Sequence, residues 1–255
     1  MSIQTTQANS KAYMLKENPV GQVELTEDNA ARVEAMIASN STYKNSSNST
    51  CGPKGKYKGS TAYWVKEFEN CVKNNSGNYQ NIIRNIVEAV DRENSTHLNA
   101  DKAGYDEITK RILGYKPPKL IDLLENPNPL KGPKYVLIDV LSKPVQSTIT
   151  KNGQVIFKSR SNFSFATKFC HYMAFYLFDG KPEQDNFSIY DGIMEKAIRK
   201  HAKQLGIAIP KGANSFKGDY VAYMDTIDKV RKACKNNGQD ISRNGLDHLL
   251  WYYYK

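Results

Sequence analysis

Lys168 is a charged residue within a run of aromatic and small apolar residues, SFATKFCHYMAFYLF. A helix over 163–178, at about 100° per residue, would place Phe165, Tyr172 and Phe175 beside this lysine on one face. Burial lowers the pKa of a lysine side chain, and a neutral amine can act as a nucleophile that forms a Schiff base. The pattern therefore marks Lys168 as a candidate catalytic amine. A side chain that extends past the aromatic residues into solvent is the other interpretation.

Asp191 is the second charged residue with an unusual setting, because it ends the short apolar strip NFSIYD. The following GIMEKAIRKHAKQLG has a helical pattern, so the Asp191 carboxylate could simply cap that helix. One helix and a turn with Gly180 and Pro182 separate the two charged residues. This connection can return Asp191 to Lys168, where a carboxylate could stabilise a cationic transition state or orient a nucleophile.

The order of these motifs resembles a known family. SFATKFCHYM followed by NFSIYD is similar to the core of the helix-hairpin-helix DNA glycosylase superfamily, especially its 8-oxoguanine-glycosylase-like branch. In that family a hairpin ends in a catalytic lysine, and a short apolar strip then leads to an aspartate that opens the next helix. Lys168 and Asp191 fall on these two positions. The C-terminal NGLDHLLWYYYK, with Asp247 and Trp251, resembles the closing helix of some bacterial members, so the resemblance covers about 161–254.

The resemblance implies a DNA N-glycosylase that flips a base out of double-stranded DNA and cleaves its glycosidic bond. Asp191 would stabilise the oxocarbenium character at C1′. Lys168 would attack C1′, and the resulting Schiff base would permit strand cleavage at the abasic site. The substrate could be an oxidised base, an alkylated base or a modified base of invading phage DNA. The biological role could accordingly be DNA repair or antiviral defence. The alternative function is a non-catalytic DNA-binding protein on the same scaffold.

Four further residues are predicted to bind the substrate. Trp251 and Tyr172 could stack on an extruded base, although aromatic residues in such helices are more often core residues. Asp247 could bond a base edge or act as a surface charge. His171 could lie near the catalytic lysine or have a structural role.

Two segments supply candidate DNA contacts. The family's hairpin usually has a Gly-x-Gly turn whose amides bind a DNA phosphate, and the corresponding residues here include no glycine but can donate hydrogen bonds. The loop 40–60 is long and rich in Asn, Ser, Gly and Lys, so it could bind phosphates or be a solvated loop. The candidate residues are Ser161, Asn162, Ser164, Lys54, Lys56 and Lys58.

The composition narrows the class of partner. The chain has 255 residues with 36 Lys and Arg against 26 Asp and Glu, a net charge of +10 that favours binding to polyanions such as nucleic acid. The four cysteines form no CxxC pair and the four histidines no HxxxH pattern, so no metal is expected. No phosphate-binding glycine motif is present, so no cofactor is expected either. With no signal-peptide or membrane-span pattern, we expect a cytoplasmic monomer.

The pattern along the chain predicts a mainly α fold of two helical subdomains with a small β-hairpin. A flexible N-terminus is predicted over 1–25, an N-terminal helical region over 26–146, and a hairpin with the catalytic region over 147–255. The Asn152-Gly153 pair predicts a two-residue hairpin turn. Helices are predicted over 26–39, 60–73, 78–93, 99–114, 119–125, 133–142, 163–178, 191–205, 220–236 and 239–254.

Overall fold

The computed structural model describes residues 15–39, 58–94, 96, 98, 102–151, 154–212 and 216–254. Within these ranges the chain is mainly helical, which confirms the mainly α class that was predicted. The helices are α1 (Glu27–Ser39), α2 (Thr61–Asn74), α3 (Tyr79–Asn94), α4 (Lys102–Leu113), α5 (Pro117–Glu125), α6 (Val136–Ser142), α7 (Phe163–Leu177), α8 (Gly192–Gln204), α9 (Tyr220–Asn236) and α10 (Arg243–Tyr254). The strands β1 (Val145–Lys151) and β2 (Gln154–Arg160) lie between α6 and α7, and a short 3-10 helix (Pro182–Asp185) follows α7.

The C-terminal end of helix α3 lies at the candidate site. The side-chain oxygen of Asn78 accepts from the Asn81 amide at 3.0 Å and satisfies a donor at the start of the helix. The helix packs against α2, α4 and α7, and its last residue, Asn94, is buried. The apolar residues of one face of this helix are all buried: Ile82, Ile83, Ile86, Val87 and Val90.

Helix α7 lies inside the protein, with α2, α3, α5 and α6 packed around it. Residues 165–174 are all buried, as expected for a helix that is apolar around most of its circumference. Lys168 lies in the second turn of this helix and is 9% exposed. Lys168 is therefore largely buried although it carries a charge.

The segment 15–25 packs against α1 and is not the flexible start that was predicted for 1–25. Glu17 and Val23 form an isolated antiparallel bridge, and Val23 is completely buried. The buried Asn29 amide holds the segment, because its oxygen accepts from the Lys16 amide at 2.9 Å. Its nitrogen donates to the carbonyls of Lys16 and Glu24 at 3.0 and 2.8 Å. Residues 1–14 lie outside the described residues.

The predicted boundary between 26–146 and 147–255 falls inside β1. This strand pairs antiparallel with β2, from Val145↔Arg160 to Lys151↔Gln154. The proposed turn at 152–153 lies outside the described residues. Helix α1 packs against α10, and α7 packs against α2 and α3, so a shared hydrophobic core crosses the predicted boundary. In the described ranges, no helix has both the length and the apolarity that a membrane span needs.

Asn29→Ala should lower the free energy of unfolding by about 1–3 kcal/mol, because the Lys16 amide loses its acceptor and the carbonyls of Lys16 and Glu24 each lose one of two donors. Urea denaturation measures the change. The control is Asn81→Ala at an exposed position of α3, which should stay within about 0.5 kcal/mol of the wild type. A loss at Asn29 no larger than the loss at Asn81 would contradict the anchoring role.

Candidate functional site

Lys168 and Asp191 meet in the folded chain. The Lys168 Nζ lies 3.4 Å from the Asp191 Oδ2, and the two side chains are only 11% and 16% exposed. The same Nζ lies 3.5 Å from the carbonyl oxygen of Asn94, at the end of α3. The carboxylate and the negative end of the helix dipole both favour a cation at this point. The alternative of a Lys168 ammonium in solvent, away from Asp191, is wrong.

Asp191 divides its two carboxylate oxygens between two tasks. Its Oδ1 accepts from the backbone amides of Ile193 and Met194, both at 2.9 Å, so the residue caps α8 as predicted. Its Oδ2 faces Lys168. Backbone donors fix the place of the negative charge, and such a fixed charge can stabilise a cation that forms beside it.

Residues 187–190, the part of the strip that directly precedes Asp191 and is called the strip from here on, are held by side chains from other helices. At its start, the His171 Nδ1 donates to the carbonyl of Phe187 at 2.9 Å. The Tyr220 hydroxyl donates to the Ser188 carbonyl at 2.6 Å and accepts from the Ser188 amide at 2.9 Å. One phenol thus satisfies both backbone groups of one residue.

The second half of the strip is held in the same way. The Asp247 Oδ2 accepts from the Ile189 amide at 2.8 Å, and the Tyr223 hydroxyl donates to the Ile189 carbonyl at 2.6 Å. The Thr167 hydroxyl oxygen accepts from the Tyr190 amide at 3.1 Å. Helices α7, α9 and α10 therefore determine together where the strip ends and where Asp191 begins.

Burial shifts the pKa of each titratable group that holds the strip. Burial lowers the pKa of His171 to about 3, so its ring carries one proton, on the Nδ1 that donates to Phe187. Burial also raises the pKa of the Asp247 carboxyl well above its usual range. The phenols of Tyr220 and Tyr223 have their pKa raised by burial too, so they remain hydroxyl donors. His171 and the two tyrosines therefore add no full charge next to the Lys168–Asp191 pair.

The predicted substrate contacts are placed in the protein interior. Asp247 is 2% exposed, so it is not a surface charge, and its bond to Ile189 gives it a structural role in place of a base contact. His171 is fully buried and bonds the strip, which is the structural alternative. Trp251 and Tyr172 are buried as well, as the core interpretation of these aromatic residues expects.

The predicted DNA contacts near α7 differ in their exposure and in the hydrogen bonds that they already make. Ser161 is exposed and Ser164 is half-buried. Asn162 is buried. Its side-chain nitrogen donates to the Lys143 carbonyl at 3.4 Å, and its backbone amide donates to the Ser142 carbonyl at 3.2 Å. Asn162 therefore joins the ends of α6 and α7 and is not available to a phosphate. Lys58 is exposed, and Lys54 and Lys56 lie outside the described residues.

Four residues of the site were not predicted: Asn94, Thr167, Tyr220 and Tyr223. Thr167 could have been noticed as a polar residue next to Lys168 in an apolar helix. Tyr220 and Tyr223 are three residues apart in α9 and so share a face. The sequence does not indicate which distant backbone groups they bond.

Comparisons with protein-family models, with curated proteins and with solved structures find no match for this chain. In the part of the chain that the structure describes, no three His, Cys, Asp or Glu side chains come together as possible metal ligands. The geometry of Lys168, Asp191 and the strip is therefore the basis for a functional proposal.

Asp247→Asn should make the protein relatively more stable as the pH rises. A carboxyl whose folded pKa is raised gives its full stabilisation below its unfolded value of about 4, and this is lost as the pH rises above that value. The Asn oxygen can still accept from the Ile189 amide. Urea denaturation at acidic and at mildly alkaline pH should therefore show that the free energy of unfolding of the variant, relative to the wild type, is higher at the alkaline pH. Asp179→Asn, at an exposed position, is the control. The same stability difference between variant and wild type at both pH values would contradict a raised pKa of Asp247.

Proposed function

We propose that this protein is a DNA N-glycosylase in which Lys168 is the nucleophile and Asp191 the carboxylate that stabilises the transition state. The observation that supports the proposal is the 3.4 Å separation of the Lys168 Nζ and the Asp191 Oδ2. The two groups come from different helices and are both mostly shielded from water. The order of the two residues and the strip before Asp191 agree with the resemblance to helix-hairpin-helix glycosylases.

The chemistry needs a base outside the duplex, since C1′ of a stacked nucleotide is not accessible. When the C1′–N bond breaks, its electron pair leaves with the base, which takes up a proton, and positive charge develops on C1′ and the ring oxygen. The Asp191 carboxylate stabilises this charge, as a fixed anion in a site of low dielectric.

Lys168 would complete the reaction through a covalent intermediate. Its ammonium gives a proton to the Asp191 Oδ2, and the neutral amine forms the new N–C1′ bond. Opening of the sugar ring transfers a proton to the ring oxygen and leaves an imine. Water would then take a C2′ proton, the C2′–C3′ double bond would form, and the C3′–O bond would break with its electron pair leaving on the phosphate, which cuts the strand.

A DNA partner is supported by the distribution of charge. Residues 140–178 contain five cationic residues and no Asp or Glu. This stretch includes both strands and the whole of α7, the helix that carries Lys168. A two-stranded ribbon has the width that the major groove of B-DNA admits. The cations of this stretch are Lys143, Lys151, Lys158, Arg160 and Lys168.

The approach of the sugar to Lys168 requires a local rearrangement. With 11% of the Lys168 side chain exposed and the Asn94 carbonyl 3.5 Å from its Nζ, C1′ cannot reach the amine in this arrangement. We therefore place the DNA side of the site at the end of α3, where the Asn94 carbonyl would move away on binding.

Wild-type protein should form a covalent complex with abasic duplex DNA in the presence of borohydride, and Lys168→Gln should form none. Asp191→Asn keeps an oxygen that can cap α8 but loses the charge, so its excision rate should fall by about a hundredfold or more, the usual scale of a lost electrostatic contact. Excision is measured on duplexes with oxidised, alkylated and phage-type modified bases. Lys203→Gln, at an exposed position of α8, is the matched control.

Two outcomes would contradict this function. Wild-type protein that yields neither an abasic product nor a trapped complex with any duplex is not a glycosylase of this kind. If such a protein still binds DNA, and Lys168→Gln binds equally well, the non-catalytic alternative is favoured.

A further inference from the structure

We propose that Thr167 is a positioning residue that fixes the distance between the Lys168 amine and the Asp191 carboxylate. The inference rests on the proposed function for its catalytic meaning. Thr167 directly precedes Lys168, and Tyr190 directly precedes Asp191. The Thr167 Oγ1 accepts from the Tyr190 amide at 3.1 Å, across 23 positions of the chain. One hydroxyl therefore joins the two residues next to the reactive pair.

The environment makes this hydroxyl difficult to replace. Thr167 is completely buried, so water does not take over its bonds. Its Oγ1 lies 3.0 Å from the Ser164 carbonyl and 3.3 Å from the Tyr190 carbonyl, and its proton can be donated to either oxygen. A hydroxyl has one proton and two lone pairs, so it can donate to one carbonyl while it accepts from the Tyr190 amide. The branched side chain of threonine also restricts the rotation that would move the oxygen away.

The position of this bond separates it from the other bonds to the strip. The bonds from His171, Tyr220, Tyr223 and Asp247 end on residues 187–189. Thr167 bonds the last residue of the strip, so a shift there is transmitted directly to Asp191. Thr167 also belongs to the same helical turn as Lys168. A single hydrogen bond therefore joins the backbone next to Lys168 to the backbone next to Asp191.

Loss of the hydroxyl should displace Asp191 without removing any reactive group. In Thr167→Val the shape of the side chain is kept, but the buried Tyr190 amide loses its acceptor. The end of the strip then gains freedom to move in search of another partner. A displacement of about 1 Å between reacting groups can reduce a rate about a hundredfold.

The first measurement is the rate at which the borohydride-trapped complex forms on saturating abasic duplex, at a temperature where every variant is folded. Thr167→Val should form it at least about tenfold more slowly, with an unchanged Kd for DNA. Thr167→Ser keeps the hydroxyl and should recover most of the rate. The matched control is Thr226→Val, a buried threonine on α9 whose hydroxyl donates to the Ala222 carbonyl at 2.8 Å, and it should behave as the wild type.

The second measurement needs no DNA and no activity. Formaldehyde and cyanoborohydride methylate accessible amines, and peptide mass spectrometry gives the rate at Lys168. Thr167→Val should be methylated faster there than the wild type, because its ion pair is loosened, whereas Thr167→Ser and Thr226→Val should not. Equal methylation of Lys168 in Thr167→Val and the wild type would overturn the positioning role, whatever the trapping rate. A wild type that yields neither an abasic product nor a trapped complex would instead overturn the proposed function, and the methylation rates would still decide the role of Thr167.

Discussion

The structure depends on the need to satisfy an extended backbone segment that is buried among helices. Residues 187–190 have neither a neighbouring strand nor a helix of their own to bond their peptide groups. A buried peptide group without a partner costs about 1–3 kcal/mol. Five side chains from α7, α9 and α10 supply the partners instead. Because the strip cannot slide without breaking several of these bonds, the start of α8, and with it Asp191, has a fixed place.

The chemical character of these partners matters as much as their number. Phenols, a hydroxyl, a neutral imidazole and a carboxyl with a raised pKa hold the strip. Phenols, a hydroxyl and an imidazole therefore supply most of the partners of the strip beside the Lys168–Asp191 ion pair. The Tyr190 hydroxyl, by contrast, donates to the buried Glu195, which forms a second ion pair with Arg199.

The sequence predicts the elements well and their buried polar contacts poorly. The spacing of apolar residues predicted the bounds of α3 and α9 to within one residue. The order of the motifs predicted that Lys168 and Asp191 lie close together, as they do. The roles of Asp247 and Asn29 could not be predicted, because periodicity shows which face a residue occupies but not which distant peptide group it meets. Asp247 looked like a base contact or a surface charge, whereas its place in a buried helix makes it a backbone acceptor.

The two oxygens of Asp191 have a consequence for the evolution of such a scaffold. Asparagine, serine and threonine all cap helices well. Replacement of Asp191 by any of them would remove the carboxylate that faces Lys168 while the first turn of α8 keeps an acceptor. The shielded Lys168 ammonium would then lose its counter-charge, and removing one partner of a buried ion pair usually destabilises a fold. The charge of Asp191 therefore serves the fold as well as the proposed chemistry.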